Sequence, residues 1–311
     1  MARGGRELFP LDRGLQARMA LAMLTGTALT AALIAAVVWW ALSGEDRGWK
    51  AAIVFVIALT GFAFSLNTEV PAGDSDPERL DEAWDRLETI ADRLAALADV
   101  RAPRVGVSQY EAPQCWTTAG PFGRPALVAT LGLVERLSDE ELEAVVAHEL
   151  THLENGDATV MTIIGGPPSW LLSGAWQMMI GAWEDRRIRA LPVVAVWCPI
   201  AMLVALPGWL ASRMVSRYRE LAADRGAAVL TGSPAALASA LRHLSGELDR
   251  IPARDLRELG GSDLFYVLPS GGEVSGLRRL WATHPPLTTR LDRLEEMERR
   301  LQSARPVLPA E

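Results

Sequence analysis

The chain has 311 residues, half of them hydrophobic, with a mean hydropathy of +0.13 and a net charge of −7. So apolar a composition excludes a disordered chain, and an acidic balance without a clustered basic stripe excludes a nucleic-acid binder. Cys115 and Cys198, the latter inside an apolar run, exclude a disulfide framework and suit a reducing compartment.

From the N-terminus, residues 19–42 run 24 residues without a charge, enough at about 1.5 Å per residue to span the ~30 Å hydrocarbon core of a bilayer. The run is too long for the apolar core of a cleaved signal peptide. Residues 51–66 are a shorter apolar run bounded by Trp49 and Asn67, which suit the two interfaces. The two runs predict a transmembrane hairpin turning across residues 43–50.

Residues 68–159 are charged and periodic. Leu80, Trp84, Leu87, Ile90, Leu94 and Leu97 recur at helical spacing and predict an amphipathic packing helix over 77–99. Three short strands are predicted at 104–108, 114–119 and 126–131, with turns marked by Pro103, Pro113, Gly120, Pro121 and Gly123. Ser138 followed by Asp139, Glu140 and Glu141 is a capping box with acids in the first turn, and starts a helix running to about residue 155.

That helix carries His148-Glu149-Leu150-Thr151-His152. Positions i and i+4 lie one above the other on a helix, so both imidazoles reach one metal ion while the Glu149 carboxylate approaches a water on it. Catalytic zinc needs a third protein ligand and an open position. Ala158 stands where a third histidine, six residues after His152, would mark the metzincin pattern, so that class is excluded. Asp157, beside Gly156, is placed at the helix end as a support of the site or a cap.

Two further apolar runs, 160–183 and 191–211, predict a second transmembrane hairpin across the charged turn 184–189. Within the first, Gly165-Gly166-Pro167-Pro168 predicts that one helix ends and another begins. Four spans return the chain to its starting side, so 68–159 and 212–311 can form one domain. Arg3, Arg6, Arg13 and Arg18 before the first span, against Arg47 and Lys50 after it, place both termini in the cytoplasm. Arg213, Arg217 and Arg219 agree, whereas Arg186, Arg187 and Arg189 run against the rule.

After the fourth span, Glu220 and Asp224 form an i, i+4 pair of acids on one helical face. Like charges repel there unless a cation lies between them, and either a metal or one of the neighbours Arg217 and Arg219 resolves the repulsion. His243 falls on an amphipathic helix after Ser233-Pro234 and reads as structural. His284 precedes a helix starting near Pro285.

His148-Glu149-x-x-His152, Ser216-Arg217-x-x-Glu220-x-x-Ala223-Asp224 and Thr283-His284-Pro285-Pro286, with paired spans before and between the first two motifs, resemble the HtpX-type membrane zinc metallopeptidases, relatives of the CAAX prenyl endoproteases. The resemblance implies a mainly α, multi-pass membrane protein: four transmembrane helices and one α+β gluzincin-like domain built from two sequence segments. Its divisions are 1–67, 68–159, 160–211 and 212–311. It further implies one zinc ion per chain held by His148, His152 and Glu220, with Glu149 as general base. His284 would stabilise the oxyanion and Asp224 would orient it.

The implied partners are protein or peptide substrates and the lipid bilayer. The implied role is quality control of membrane proteins, or stress response, at the plasma (inner) membrane with the active site in the cytoplasm. One segment departs from the family. Members often carry Pro-Asn-Ala-Phe on a strand near the site, where this chain has Pro113-Gln114-Cys115-Trp116, which bears on substrate preference.

Three competing readings follow from the same motifs. An intramembrane site-2-type protease would bury its motif within a span, against Asp139, Glu140, Glu141 and Glu143 just upstream. A CAAX-type prenyl-protein protease would have more spans. A non-catalytic zinc-binding membrane scaffold would lack the base, and Glu149 is present.

Overall fold

The computed structural model describes residues 77–118, 125–184, 191–248 and 283–304, with scattered positions between 17 and 43. The chain divides into two compact units, one drawing on Pro71–Thr159 and Ser216–Glu311, the other on Gln16–Val70 and Val160–Val215. The positions described between 17 and 39 are helical; the expected second span, the turn at 185–190 and the stretch 249–282 lie outside the described residues.

In the first unit, helix α1 (Pro77–Ala98) buries Leu87, Ile90 and Leu94 of the expected stripe together with Ala91 and Ala95, whereas Trp84 and Leu97 at its margins stay exposed. It ends where Asp99 takes a left-handed conformation at φ 57° and Val100 N–H returns to the Ala95 carbonyl at 3.0 Å. Strands β1 (Arg104–Ser108), β2 (Cys115–Thr118) and β3 (Ala126–Thr130) form a sheet in the order β1-β3-β2. β1 runs parallel to β3, with Arg104 opposite Ala126; β2 runs antiparallel, with Cys115 opposite Ala129. β2 therefore ends the described sheet.

A one-and-a-half-turn helix, α2 (Leu131–Arg136), follows β3 directly. The sequence hides it, because Ala126 to Val134 is apolar apart from Thr130 and carries no helical period. Thr130, wholly buried, makes the switch. Its hydroxyl accepts from Leu133 N–H to cap the helix and from Gln114 N–H at 2.9 Å, and donates to the Ala112 carbonyl at 2.8 Å. Arg86 of α1 then closes the end of α2, donating to the carbonyls of Val134 and Leu137, and holds Asp139 at the start of the next helix.

That helix, α3 (Asp139–Glu154), opens on the expected capping box. Ser138 Oγ accepts from Glu141 N–H at 3.3 Å and Glu141 Oε2 from Ser138 N–H at 3.1 Å. Every residue from Ala144 to Thr151 is buried. A helix buried all round shows little amphipathicity, and α3 is indeed wrapped by α1, β2 and α6 (Pro234–Leu248). α6 starts with Pro234 after the cap Ser233, and its Ser239 and His243, one turn apart, both face Glu141. Helix α7 (Leu287–Ala304) packs on α6 and buries Arg290 and Leu294.

α3 stops at Asn155-Gly156, where Gly156 sits at φ +66°. Helix α4 (Asp157–Glu184) begins on the next residue and continues without interruption through Gly165-Gly166-Pro167-Pro168. The helix end expected near residue 155 is present, and the second break expected at Gly165–Pro168 is absent. Only a residue without a Cβ enters the left-handed region at no steric cost, whereas each proline removes a single helical hydrogen bond.

Helix α5 (Leu191–Thr231) is also one element of 41 residues, with Pro199 and Pro207 inside it. It joins the expected fourth span to the acidic motif without a turn, and ends at Gly232, φ +68°. Among the described residues, the stretch Cys198–Thr231 is long and apolar enough to cross a membrane by length and composition. Within the second unit α4 and α5 meet closely: a Cβ on Gly165 would lie 3.6 Å from Ser212, and Cys198 Sγ reaches the Ala175 carbonyl at 3.4 Å.

Candidate metal centre

All the polar residues singled out by the three motifs fall in the first unit. His148 and His152 project from α3 with their Nε2 atoms 3.1 Å apart. Glu220, on α5, places Oε2 3.6 Å from His148 Nε2 and Oε1 3.5 Å from His152 Nε2. Ligand atoms at zinc distances of about 2.0–2.1 Å in a tetrahedron stand roughly 3.3 Å from one another. The two nitrogens stand close to that spacing, Glu220 sets one carboxylate oxygen against each of them, and one ligand atom from each residue lies within 4.8 Å of the others.

The far side of each imidazole faces a carboxylate. His152 Nδ1–H donates to Asp157 Oδ2 at 2.5 Å, and His148 Nδ1 lies 3.1 Å from Asp224 Oδ1. With Nδ1 protonated, both rings turn a lone pair on Nε2 toward the common point, as metal-binding histidines require. Asp157, the first residue of α4, is held in turn by Arg219 at 2.8 Å. Asp224 accepts a two-pronged pair from Arg290, at 2.8 and 2.6 Å. Arg290 also comes within 3.3 Å of Glu220 Oε2.

The buried charges sharpen the argument for a cation. Glu149, Asp157, Glu220 and Asp224 are four buried carboxylates, and Arg219 and Arg290 are the two buried arginines beside them. With neutral imidazoles the cluster carries two negative charges in excess, which one divalent ion balances. Burial works against a charged His152, but its bond to Asp157 and then Glu220 outweigh it and push its pKa up to about 10. The same contest, with Asp224 and Glu220 opposing burial, raises His148. His148, His152 and Glu220 are accordingly the residues that can hold a metal ion.

Glu149, next to His148 and 2% exposed, does not belong to the ligand set. Burial raises its pKa, opposed by the two histidines and by a hydrogen bond from Thr117 of β2. The edge strand is thereby tied to the residue expected to act as base. His284, in the turn before α7, is buried with Nδ1 3.2 Å from Glu220 Oε2. Asp224, one turn along α5 from Glu220, meets His148 and Arg290. His243 stays apart, exposed on α6 against Glu141.

A family model for peptidase family M48 matches residues 82–298. The chain belongs to that family. Protease HtpX homolog 1 of Streptomyces coelicolor is 35% identical over 95% of this chain and 97% of its own length. Protease HtpX homolog of Moorella thermoacetica is 36% identical over 94% of this chain and 98% of its own. A crystal structure of Ste24p from S. mikatae aligns with a TM-score of 0.44 and 16% identity, covering 91% of this chain and 66% of that protein. The M48 match takes in His148, Glu149, His152, Glu220, Asp224, His284 and Arg290 together.

Arg290 was not singled out by its motif, yet it leaves a trace in the sequence. Leu287, Leu291 and Leu294 set the apolar stripe of α7, and an arginine one turn after Leu287 and one turn before Leu294 falls within it. A charge in such a stripe needs a buried partner. Gly226 left no comparable sign. A Cβ there would clash with the Thr151 side chain, so the bare backbone lets α5 close on α3 at the residue next to His152, nearly two turns past Glu220. Thr151 cannot easily yield, since its hydroxyl donates to the Ala147 carbonyl at 2.8 Å. Gly226→Ala is expected to destabilise the protein by about 1–3 kcal/mol through overpacking. Gly246→Ala on α6, where a Cβ meets nothing within 4 Å, is the matched control and is expected to be neutral or stabilising. Thermal melts of the two variants in detergent check this.

Proposed function

We propose that this M48 peptidase is a membrane-bound zinc endopeptidase that hydrolyses peptide bonds of membrane or unfolded proteins near the cytoplasmic membrane surface, in membrane-protein quality control. The observation that carries the reading is the convergence of His148 Nε2, His152 Nε2 and the Glu220 carboxylate on one point, with Glu149 buried beside them. The names of its relatives, HtpX proteases, support the activity, and the apolar stretch Cys198–Thr231 supports the membrane setting. Only two residues separate Asp157 from the apolar run 160–183, which favours substrates close to the bilayer.

Zinc at this point supplies Lewis acidity, acidifying water and polarising the scissile carbonyl. The protein's own part is to place and move protons. Glu149 takes the proton of the attacking water and hands it to the leaving amine. His284 donates to the oxygen of the scissile carbonyl as charge develops on it. Asp157 and Asp224 hold the two ligand rings. β2 offers its outer backbone groups to an extended substrate, which adds as a further strand beside Glu149.

The test is to purify the full chain in detergent with a chelator, restore zinc, and follow casein cleavage. Cleavage that appears with one zinc per chain and stops on renewed chelation is the expected result. One zinc bound with no cleavage of casein would overturn the broad endopeptidase reading in favour of a scaffold or a narrow prenyl-protein specificity.

A further inference from the structure

Each ligand histidine is backed by a carboxylate, and each carboxylate by an arginine from another helix. On the His148 side the arginine, Arg290, also touches Glu220, so its removal disturbs a metal ligand directly. The His152 side isolates the effect. Arg219 is 7% exposed and sets Nε 2.8 Å from Asp157 Oδ1; Asp157 is 4% exposed and gives its other oxygen to His152 Nδ1 at 2.5 Å. Without the guanidinium, Asp157 would keep a buried negative charge compensated by the imidazole alone.

Arg219 also adjoins Glu220 in sequence, and α5 therefore presents two groups to the centre from consecutive positions. Glu220 reaches both imidazoles directly, and Arg219 reaches His152 by way of Asp157. The two contacts come from one rigid helix, while His152 belongs to α3 and Asp157 to α4, across the break at Gly156. Across that break, the contact with Arg219 ties Asp157 to α5. The guanidinium is well suited to do so, because it is planar, permanently charged and matched to a carboxylate.

We infer that Arg219 is a positioning residue for zinc binding: by clamping Asp157 it fixes the Nδ1–H of His152 and aims Nε2 at the metal. This rests on His152 being a zinc ligand. It assigns Arg219 no contact with substrate. Removing the outer partner of a metal-binding histidine typically costs 10- to 100-fold in metal affinity. Arg219→Ala, one step further out, is expected to weaken zinc binding by about 10-fold. Arg219→Lys, which keeps the charge but loses the planar guanidinium and its Nε contact, is expected to lie between that variant and the wild type.

The experiment is zinc affinity by competition with a chromophoric chelator on the full-length protein in detergent, for wild type, Arg219→Ala, Arg219→Lys, Asp157→Ala, the double variant Arg219→Ala with Asp157→Ala, and His152→Ala. Apo-protein melting curves accompany each. A loss transmitted through Asp157 is non-additive, so Arg219→Ala should add less than 2-fold in the Asp157→Ala background. Zinc affinity of Arg219→Ala within 2-fold of wild type, or full additivity with Asp157→Ala, would overturn the inference. Should Arg219→Ala fail to fold, Arg219→Lys decides: unchanged zinc affinity overturns the inference, and a 2- to 10-fold loss that vanishes in the Asp157→Ala background supports it. A wild type that binds no zinc, or binds it equally well as His152→Ala, would overturn the underlying metal-site reading instead.

Discussion

Glu149→Gln is expected to bind one zinc ion with near wild-type affinity and to lose casein cleavage by about 100- to 10,000-fold, the usual contribution of a positioned general base. The separation of the two effects follows from where Glu149 stands. The three donors are His148, His152 and Glu220, and Glu149 is outside that set though it adjoins His148 on α3. An amide is nearly the same size as the carboxylate and can keep the hydrogen bond with Thr117, so β2 stays in place. What it lacks is a lone pair basic enough to take a proton from water. It also removes one buried negative charge from a cluster with an excess of them, so the fold should be no less stable. Zinc content by elemental analysis, together with cleavage assays at equal zinc occupancy, checks both halves. Loss of zinc with loss of cleavage would place Glu149 among the ligands; retained cleavage would mean that another group serves as base.

The parts of this centre that were readable from sequence are those whose geometry is local. His148 and His152 share a helical face by their spacing, and the capping box at Ser138 and Glu141 fixed the helix that carries them before any coordinates. The stripe of α1 and the three strands likewise follow from period alone. Glu220 needed the resemblance, because 67 residues separate it from His152 and nothing in its own surroundings distinguishes a ligand from a surface acid. The contact of Asp224 with His148 was hidden for a related reason: it depends on how α5 crosses α3, and the missing side chain of Gly226 permits that crossing. The break expected at Gly165 to Pro168 is absent because two adjacent prolines inside an apolar helix remove few hydrogen bonds and leave the rest of the helix intact. α2 was invisible because a continuously apolar run has no period, and one hydroxyl, that of Thr130, turns strand into helix.

Arg290→Leu is expected to destabilise the zinc-free protein by about 3–5 kcal/mol, the cost of breaking a buried ion pair by removing one partner. Arg290 is 1% exposed and its guanidinium serves two carboxylates at once, in a fork on Asp224 and beside Oε2 of Glu220. Leucine fits the apolar stripe of α7 next to Leu291 and Leu294, so lost packing is small and the deficit is electrostatic. Two negative charges then lie within the same few ångströms with only the histidines to oppose them. A bound divalent cation offsets part of that repulsion, and the zinc-loaded variant should recover stability that the zinc-free variant lacks, beyond the stabilisation zinc gives the wild type. The measurement is a pair of melting curves, with zinc and with chelator, for each protein. If the loss is equal in both conditions, Arg290 acts through packing between α7 and α5, and the charge balance that argues for a divalent ion at this site loses its support.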